Sequence, residues 1–212
     1  MGSAQRHHIV RNAVGAEFAV SLKSGAIAGA VSALSPLLSL RWVQPKAAPN
    51  MVLRLKSIKP RILVTVAFSA AGPADLGLFK ATGFSAADSG GTTSLPVQGG
   101  TPQNQKITGM PASLISDLRI ATTGQLTAGT RVVDTLPMKS WGGWGGAIGM
   151  AYPSDESILS AYRAHPITVG EGGASEGLIL ANLTAIPATG TMVLYVDLEW
   201  EEVDFLANAE EF

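Results

Sequence analysis

Apolar and polar side chains alternate with a period of two residues in several parts of this chain. In residues 192–200, acidic side chains at positions 197 and 199 lie between apolar ones at every second position: Met192, Leu194, Val196, Leu198 and Trp200. Successive side chains of a β-strand point to opposite faces of the sheet. The pattern therefore predicts a strand with one buried face and one solvated face.

Similar segments occur throughout the sequence. Alternation is clear in residues 17–23, 38–42, 53–56 and 62–68, and further strand candidates are residues 75–81, 117–122, 166–170 and 178–184. Gly and Pro residues separate these segments, as expected for turns. Pro60 interrupts one long candidate, and we expect it to mark a bend or a sheet edge because proline cannot donate a ladder hydrogen bond.

Many short strands separated by turns predict an all-β fold, specifically a jelly-roll-like antiparallel β-sandwich with long loop excursions and little helix. Short helices are expected only at residues 111–118 and 154–163. The predicted organisation is a flexible N-terminal arm (1–14), one sandwich domain (15–204) and an acidic C-terminal tail (205–212). Residues 81–109 are rich in Gly, Ser, Thr, Gln and Pro and predict a long surface loop.

Composition narrows the range of functions. The 212 residues include 24 Gly and 12 Pro, and only 15% are charged, which is below the roughly 25% of an average soluble domain. No Cys is present, which excludes thiolate metal sites, disulfides and a cysteine nucleophile. No apolar stretch approaches the roughly 18 residues of a membrane-spanning helix. The first residues are basic and lack the apolar core of a signal peptide, so we expect synthesis in the cytoplasm.

Charge is distributed unevenly along the chain. Residues 1–80 contain ten basic and two acidic side chains, whereas residues 81–212 contain five basic and fourteen acidic ones. Three explanations are open: strands of the two halves neutralise one another, neighbouring subunits present complementary faces, or a basic arm binds nucleic acid. The basic residues lack the interleaved aromatic side chains of single-strand binders. We therefore expect no nucleic-acid partner.

Catalytic and metal-binding patterns are weak. His7, His8 and His165 show no metal-ligand spacing. The nucleophile motif Gly-x-Ser-x-Gly does not occur, and no Gly-rich segment carries the Lys-Ser/Thr of a phosphate loop. Asp155 and Glu171 could pair as in a glycan hydrolase, but sixteen acidic residues offer many accidental pairs. We expect no catalytic, cofactor-binding or metal-binding residues and no enzyme activity.

One tryptophan-rich segment, residues 140–146, stands out because Gly flanks Trp141 and Trp144. Trp is enriched at protein–protein contacts, and it also stacks on sugars. Alternatively, the two indoles close the end of the sandwich while Gly lets the backbone pass nearby. As a subunit interface we predict Trp141 and Trp144 on an exposed turn, together with Arg6 and Arg11 of the arm.

The C-terminal half resembles the ending of tailed-bacteriophage virion proteins. The resemblance rests on residues 165–169, on the Glu-Gly-apolar strand of 175–183, on the Ala-Thr-Gly turn of 187–191 and on the Trp-x-Glu-Val ending of 194–203. In the front half, Leu40-Arg41-Trp42 and residues 53–58 are similar in style to two further strands of these proteins.

This resemblance implies a virion structural protein made in the bacterial cytoplasm. The expected role is that of a head decoration or cement protein, with a trimer favoured and with the major capsid protein or other virion proteins as partners. The alternative is a carbohydrate-binding or host-binding module of a tail or head fibre, with Trp141 and Trp144 as a stacking platform. A glycan hydrolase is a third possibility.

Overall fold

The computed structural model describes residues 16–44, 46, 50–93, 97–98, 101–102, 113–127, 130–145, 148–151, 167–170 and 175–204. Within these residues all regular structure is β-strand, and every strand pair is antiparallel. The all-β expectation is confirmed. The helix predicted at residues 111–118 is wrong in its described part, because Asp117 and Leu118 begin a strand. The helix predicted at 154–163, the arm 1–14 and the tail 205–212 lie outside the described residues.

Within the described residues, seventeen strands follow one another along the chain. Their bounds are β1 Ala16–Lys23, β2 Ile27–Ala28, β3 Pro36–Trp42, β4 Met51–Val66, β5 Gly72–Pro73, β6 Leu76–Thr82, β7 Gly91–Thr93, β8 Val97–Gln98, β9 Thr101–Pro102, β10 Asp117–Ala121, β11 Val132–Val133, β12 Lys139–Trp141, β13 Trp144–Gly145, β14 Gly149–Ala151, β15 Ile167–Val169, β16 Glu176–Asn182 and β17 Thr191–Asp204.

Strand pairing identifies the jelly roll. Six antiparallel pairings are nested along the chain: β1 with β17, β3 with β16, β4 with β15 and with β14, and β6 with β12 and with β11. Two further pairings, β17 with β4 and β16 with β6, join the nested pairs into two sheets. An eight-stranded double sheet with such nested pairing is the jelly-roll arrangement.

The two sheets have different edges. Sheet A runs β1, β17, β4 and then β14, with β15 also on β4 and β2 on β17. Sheet B runs β11, β6, β16, β3, β10 and β7, with β12 also on β6. The strands β10 and β7 extend sheet B beyond the basic jelly roll. The predicted long loop 81–109 therefore contributes one short strand, β7, to a sheet edge.

The core fills the space between the sheets. It is built from the alternating apolar positions that the sequence predicted, and Met192, Leu194, Val196, Leu198 and Trp200 of β17 are all buried in it. The ring of Trp200 stacks on Phe18 of β1, with 5.3 Å between the ring centroids. Sheet B contributes Leu38 and Leu40 of β3 and their neighbours on β16 and β6.

Pro60 lies inside a single long strand and causes no break in it. β4 continues from Met51 to Val66 and pairs with β17 along its whole length, with Pro60 opposite Val196. On the other edge of β4, β15 pairs with residues 53–55 and β14 with residues 62–64. Among the described strands none pairs with that edge between these two, so Pro60 takes the edge position that the sequence allowed, without a bend.

Opposite charges from the two halves of the chain meet on the solvent face of sheet A. On β4, Arg54 and Lys56 approach Glu201 at 3.8 and 3.5 Å, and Arg61 lies 3.1 Å from Asp197 on β17. The basic first half and acidic second half thus face each other across neighbouring strands. These contacts support internal neutralisation as the explanation of the uneven charge distribution. Each exposed pair contributes little stability, about 0–1 kcal/mol.

One carboxylate is buried at the end of sheet A. Glu202 of β17 is 1% exposed and accepts hydrogen bonds from the Ser113 hydroxyl at 2.6 Å, the Leu114 amide at 2.9 Å and the Trp200 indole at 3.1 Å. It thereby ties the segment before β10 to the last strand. Desolvation by burial raises the pKa of Glu202 above its usual value, and the hydrogen bonds from Ser113 and Leu114 oppose this shift.

Glu202 should make stability depend on pH in a defined direction. Because its pKa is higher in the folded than in the unfolded chain, the folded state binds the proton more tightly. Its contribution to the free energy of unfolding therefore increases as pH falls through the folded-state pKa toward about 4.3, the unfolded value. Urea unfolding of wild type and Glu202→Gln between pH 4 and 7 measures this difference. A wild-type advantage that shrinks as pH falls would contradict the assignment.

Candidate interaction surface

A second apolar cluster lies on the outer face of sheet B. Leu178 and Leu180 of β16 point into the main core, so the alternate residues Ile179 and Ala181 point outward. They pack with Phe79 and Ala81 of β6, and all four are buried. Both faces of these two strands are therefore apolar, and the outer face needs a cover.

The first part of the predicted long loop covers one side of this cluster. Phe84 packs on the cluster and is 5% exposed. Behind it, both carboxylate oxygens of Asp88 lie 2.7 Å from Nη1 of Arg131, and the Arg131 guanidinium stands 5.4 Å from the centre of the Phe84 ring. The ion pair is almost completely buried. It joins the loop after β6 to the segment that begins β11.

Beside this cover the outer face remains open as a groove of about 240 Å³, called the sheet-B groove below. Phe79, Ile179 and Ala181 belong to the apolar cluster that lines it, and Leu34, Val133 and Asp134 also contribute to its walls. Most of its lining is therefore aliphatic or aromatic. A concave apolar site of this kind binds apolar side chains of a ligand or partner.

The rim of the sheet-B groove exposes large apolar side chains to solvent. Leu34 is 61% exposed, and Val133 is 37% exposed. Leu34 also has a left-handed backbone, with φ of 58°, which is unfavourable for a residue with a Cβ. The Leu34 amide donates a hydrogen bond to the Asn182 carbonyl at 2.7 Å, so the loop between β2 and β3 is held against β16. Exposed apolar clusters of this kind mark contact sites.

The predicted interface residues do not come together here. Trp141, at the end of β12, is 1% exposed and belongs to the main core. This corrects its predicted place on an exposed turn, and it matches the alternative in which an indole closes the sandwich. The backbone of Trp144 pairs with Pro73 in the small β5–β13 sheet. Arg6 and Arg11 lie outside the described residues.

Burial of Trp141 also weakens the proposed sugar-stacking platform, because a stacked sugar needs an accessible ring face. The sequence analysis missed the sheet-B groove. Its signal was present in β6 and β16, where apolar residues occupy both alternating sets of positions. Such a run indicates a strand that is buried on both faces, but it does not say what covers the second face.

In the part of the chain that the structure describes, no group of three or more His, Asp or Glu side chains is arranged to hold a metal ion. No helix there is long and apolar enough to cross a membrane.

Comparisons with known proteins place the chain in no family. No protein-family model matches the sequence, and no curated protein matches it. Among solved structures, the human polyomavirus 6 VP1 pentamer aligns over 89% of this chain and 95% of that chain, with 12% identity and a TM-score of 0.26. At this score the alignment is not evidence for a common fold. The assignment as a jelly roll therefore rests on strand pairing.

Proposed function

We propose that this chain is a non-enzymatic structural protein of a tailed-bacteriophage virion, made in the host cytoplasm and placed on the head as a decoration or cement protein. Its partners are copies of itself, with a trimer as the proposed oligomer, and the major capsid protein or another virion protein. The sheet-B groove with its exposed apolar rim carries this proposal, because exposed apolar surface of this kind supports a contact with another protein.

Three further observations support a structural role. The sequence resembles the endings of tailed-phage virion proteins in residues 165–203. The jelly roll is a common fold of viral capsid domains. Its two multi-stranded sheets and the large apolar core between them also suit a protein that must remain folded on a particle.

Immunogold electron microscopy of particles of the phage that encodes this chain tests the proposal. We expect label over the whole head surface, at many copies per particle. A parallel label for the major capsid protein controls for access to the head. Label confined to the tail would overturn the decoration role in favour of a host-binding module. The virion assignment itself fails if mass spectrometry finds no copy of the chain in purified particles.

A further inference from the structure

We propose that the sheet-B groove binds the N-terminal segment 1–14 of a neighbouring copy of this chain. In this arrangement Ile9 and Val10 enter the groove, and a flanking arginine, Arg6 or Arg11, contacts Asp134 at its wall. The inference rests on the proposed function, because it names the partner of that contact surface.

The chemistry of the groove selects an apolar ligand with a basic neighbour. Its walls are mainly apolar, so an apolar side chain that packs in it would bury apolar surface against them. Two charged residues also line it. Arg131 is neutralised by its ion pair with Asp88, whereas Asp134 is exposed at the wall. The groove thus presents a carboxylate beside an apolar surface.

Segment 1–14 has the complementary pattern. Ile9 and Val10 form an apolar pair, and Arg6 and Arg11 stand on either side of it in a segment without acidic residues. A guanidinium can reach a carboxylate while its neighbours in the chain occupy the apolar groove. Charge complementarity of this kind favours one partner over others and fixes its register.

The strand next to the groove can also receive an extended segment. β11 pairs with β6 on one side, and among the described strands none pairs with its other edge. Val132 and Val133, the two residues of β11, are both exposed. An open edge offers backbone hydrogen bonds to an added strand, and alternate side chains of that strand then enter the adjoining pocket.

The location of the sheet-B groove favours segment 1–14 of another copy over segment 1–14 of the same chain. β1 begins at Ala16 in sheet A, whereas the groove lies on the outer face of sheet B, on the opposite side of the sandwich. A chain's own segment would have to pass around the sandwich to reach it. Fourteen extended residues span up to about 50 Å, which is enough to reach an adjacent subunit. Neighbouring copies would be close together on a particle.

Disulfide cross-linking tests this directly because the chain has no cysteine. Two full-length variants are made, Val10→Cys with an affinity tag that changes its mass and Val133→Cys without a tag. They are mixed and mildly oxidised, and we expect a disulfide-linked heterodimer on a non-reducing gel. In the control mixture, the untagged copy carries Val66→Cys, on sheet A, instead of Val133→Cys. Val66 is 55% exposed and Val133 only 37%, so random collision would favour the control.

Formation of the heterodimer should be at least about tenfold faster with Val133→Cys than with Val66→Cys, since a bound segment holds the two thiols at high effective concentration. Equal rates would overturn the proposal. A chain carrying both Val10→Cys and Val133→Cys tests the origin of the segment. If it forms mainly an internal disulfide in the monomer, the groove binds its own segment and the neighbouring-copy assignment is wrong.

A charge exchange gives a second, independent readout. Adding Asp134→Arg to the Val133→Cys copy, with segment 1–14 of the Val10→Cys copy unchanged, should lower the cross-linking rate. Adding Arg6→Asp/Arg11→Asp to the Val10→Cys copy should then restore the rate. Failure of this rescue would overturn the role of Asp134. The outcome is separable from that of the proposed function. If the head is labelled but no cross-link forms, only the binding of segment 1–14 in the sheet-B groove is rejected. If the cross-link forms but the protein is missing from purified particles, only the virion role is rejected.

Discussion

Replacing Trp200 by alanine is expected to leave the chain unfolded or insoluble. The Trp200 side chain, in the second half of β17, is fully buried, stacks on Phe18 and donates its indole N–H to Glu202. Truncating a buried Trp costs about 3–5 kcal/mol through lost contacts and the cavity that remains. The loss of a donor to the buried Glu202 carboxylate adds to this cost. The combined loss approaches the total free energy of unfolding of many domains.

Soluble yield and thermal unfolding followed by circular dichroism measure this effect. Tyr195→Ala is the matched control, because Tyr195 is an aromatic residue of the same strand whose ring lies on the solvent face near Lys23 and Arg61. Losing these cation–π contacts costs about 0.5–1 kcal/mol each, so this variant should fold. A Trp200→Ala protein with an unchanged melting temperature would show that the inward face of β17 is assigned wrongly.

Arg131→Met is expected to destabilise the protein by about 3–5 kcal/mol, because it leaves the Asp88 carboxylate buried without its partner. The side chain of Asp88 is 1% exposed and that of Arg131 is 10% exposed. The substitution also removes the guanidinium from the Phe84 ring, which helps to hold the loop over the outer face of sheet B. Urea denaturation measures the change in the free energy of unfolding.

The double variant Asp88→Leu/Arg131→Met distinguishes the effect of an unpaired buried charge from the effect of altered packing. Replacing both partners by apolar side chains of similar size removes the unpaired charge, so it should recover much of the lost stability. If the double variant is less stable than Arg131→Met alone, the unpaired carboxylate is not the cause of the defect. Lys56→Met, at an exposed pair with Glu17 and Glu201, should change stability by no more than about 1 kcal/mol.

Several strands could be predicted from single segments of sequence. β17 showed its buried and solvated faces in the alternation of residues 192–200, and the structure buries the predicted apolar set. β3 and the two ends of β4 were found in the same way. Internal neutralisation was one of three explanations that the uneven charge distribution left open, and the contacts of Arg54, Lys56 and Arg61 with β17 support it.

The candidate surface, in contrast, depended on residues far apart in the chain. Polar composition around Asp88 indicated a solvated loop, yet Asp88 is buried because Arg131, 43 positions later, supplies its counter-charge. Trp141 stands directly before a Gly-rich segment that is compatible with exposure, and the pairing of β12 with β6 brings it into the core. Neither outcome can be recognised within a short window of sequence.

The sequence by itself therefore determined the all-β class, the longer strands (β1, β3, β4, β6, β10, β16 and β17) and the inward face of those that alternate, since these follow from the period of side chains along one strand. Only the tertiary structure decided the nested pairing of the jelly roll, the addition of β7 and β10 to sheet B and the open groove over Ile179 and Ala181. The physical reason is that periodicity is a local property. Which strand lies alongside another, and what covers an apolar face, depends on contacts between residues far apart in the chain, as in the pairing of β1 with β17 and of β3 with β16.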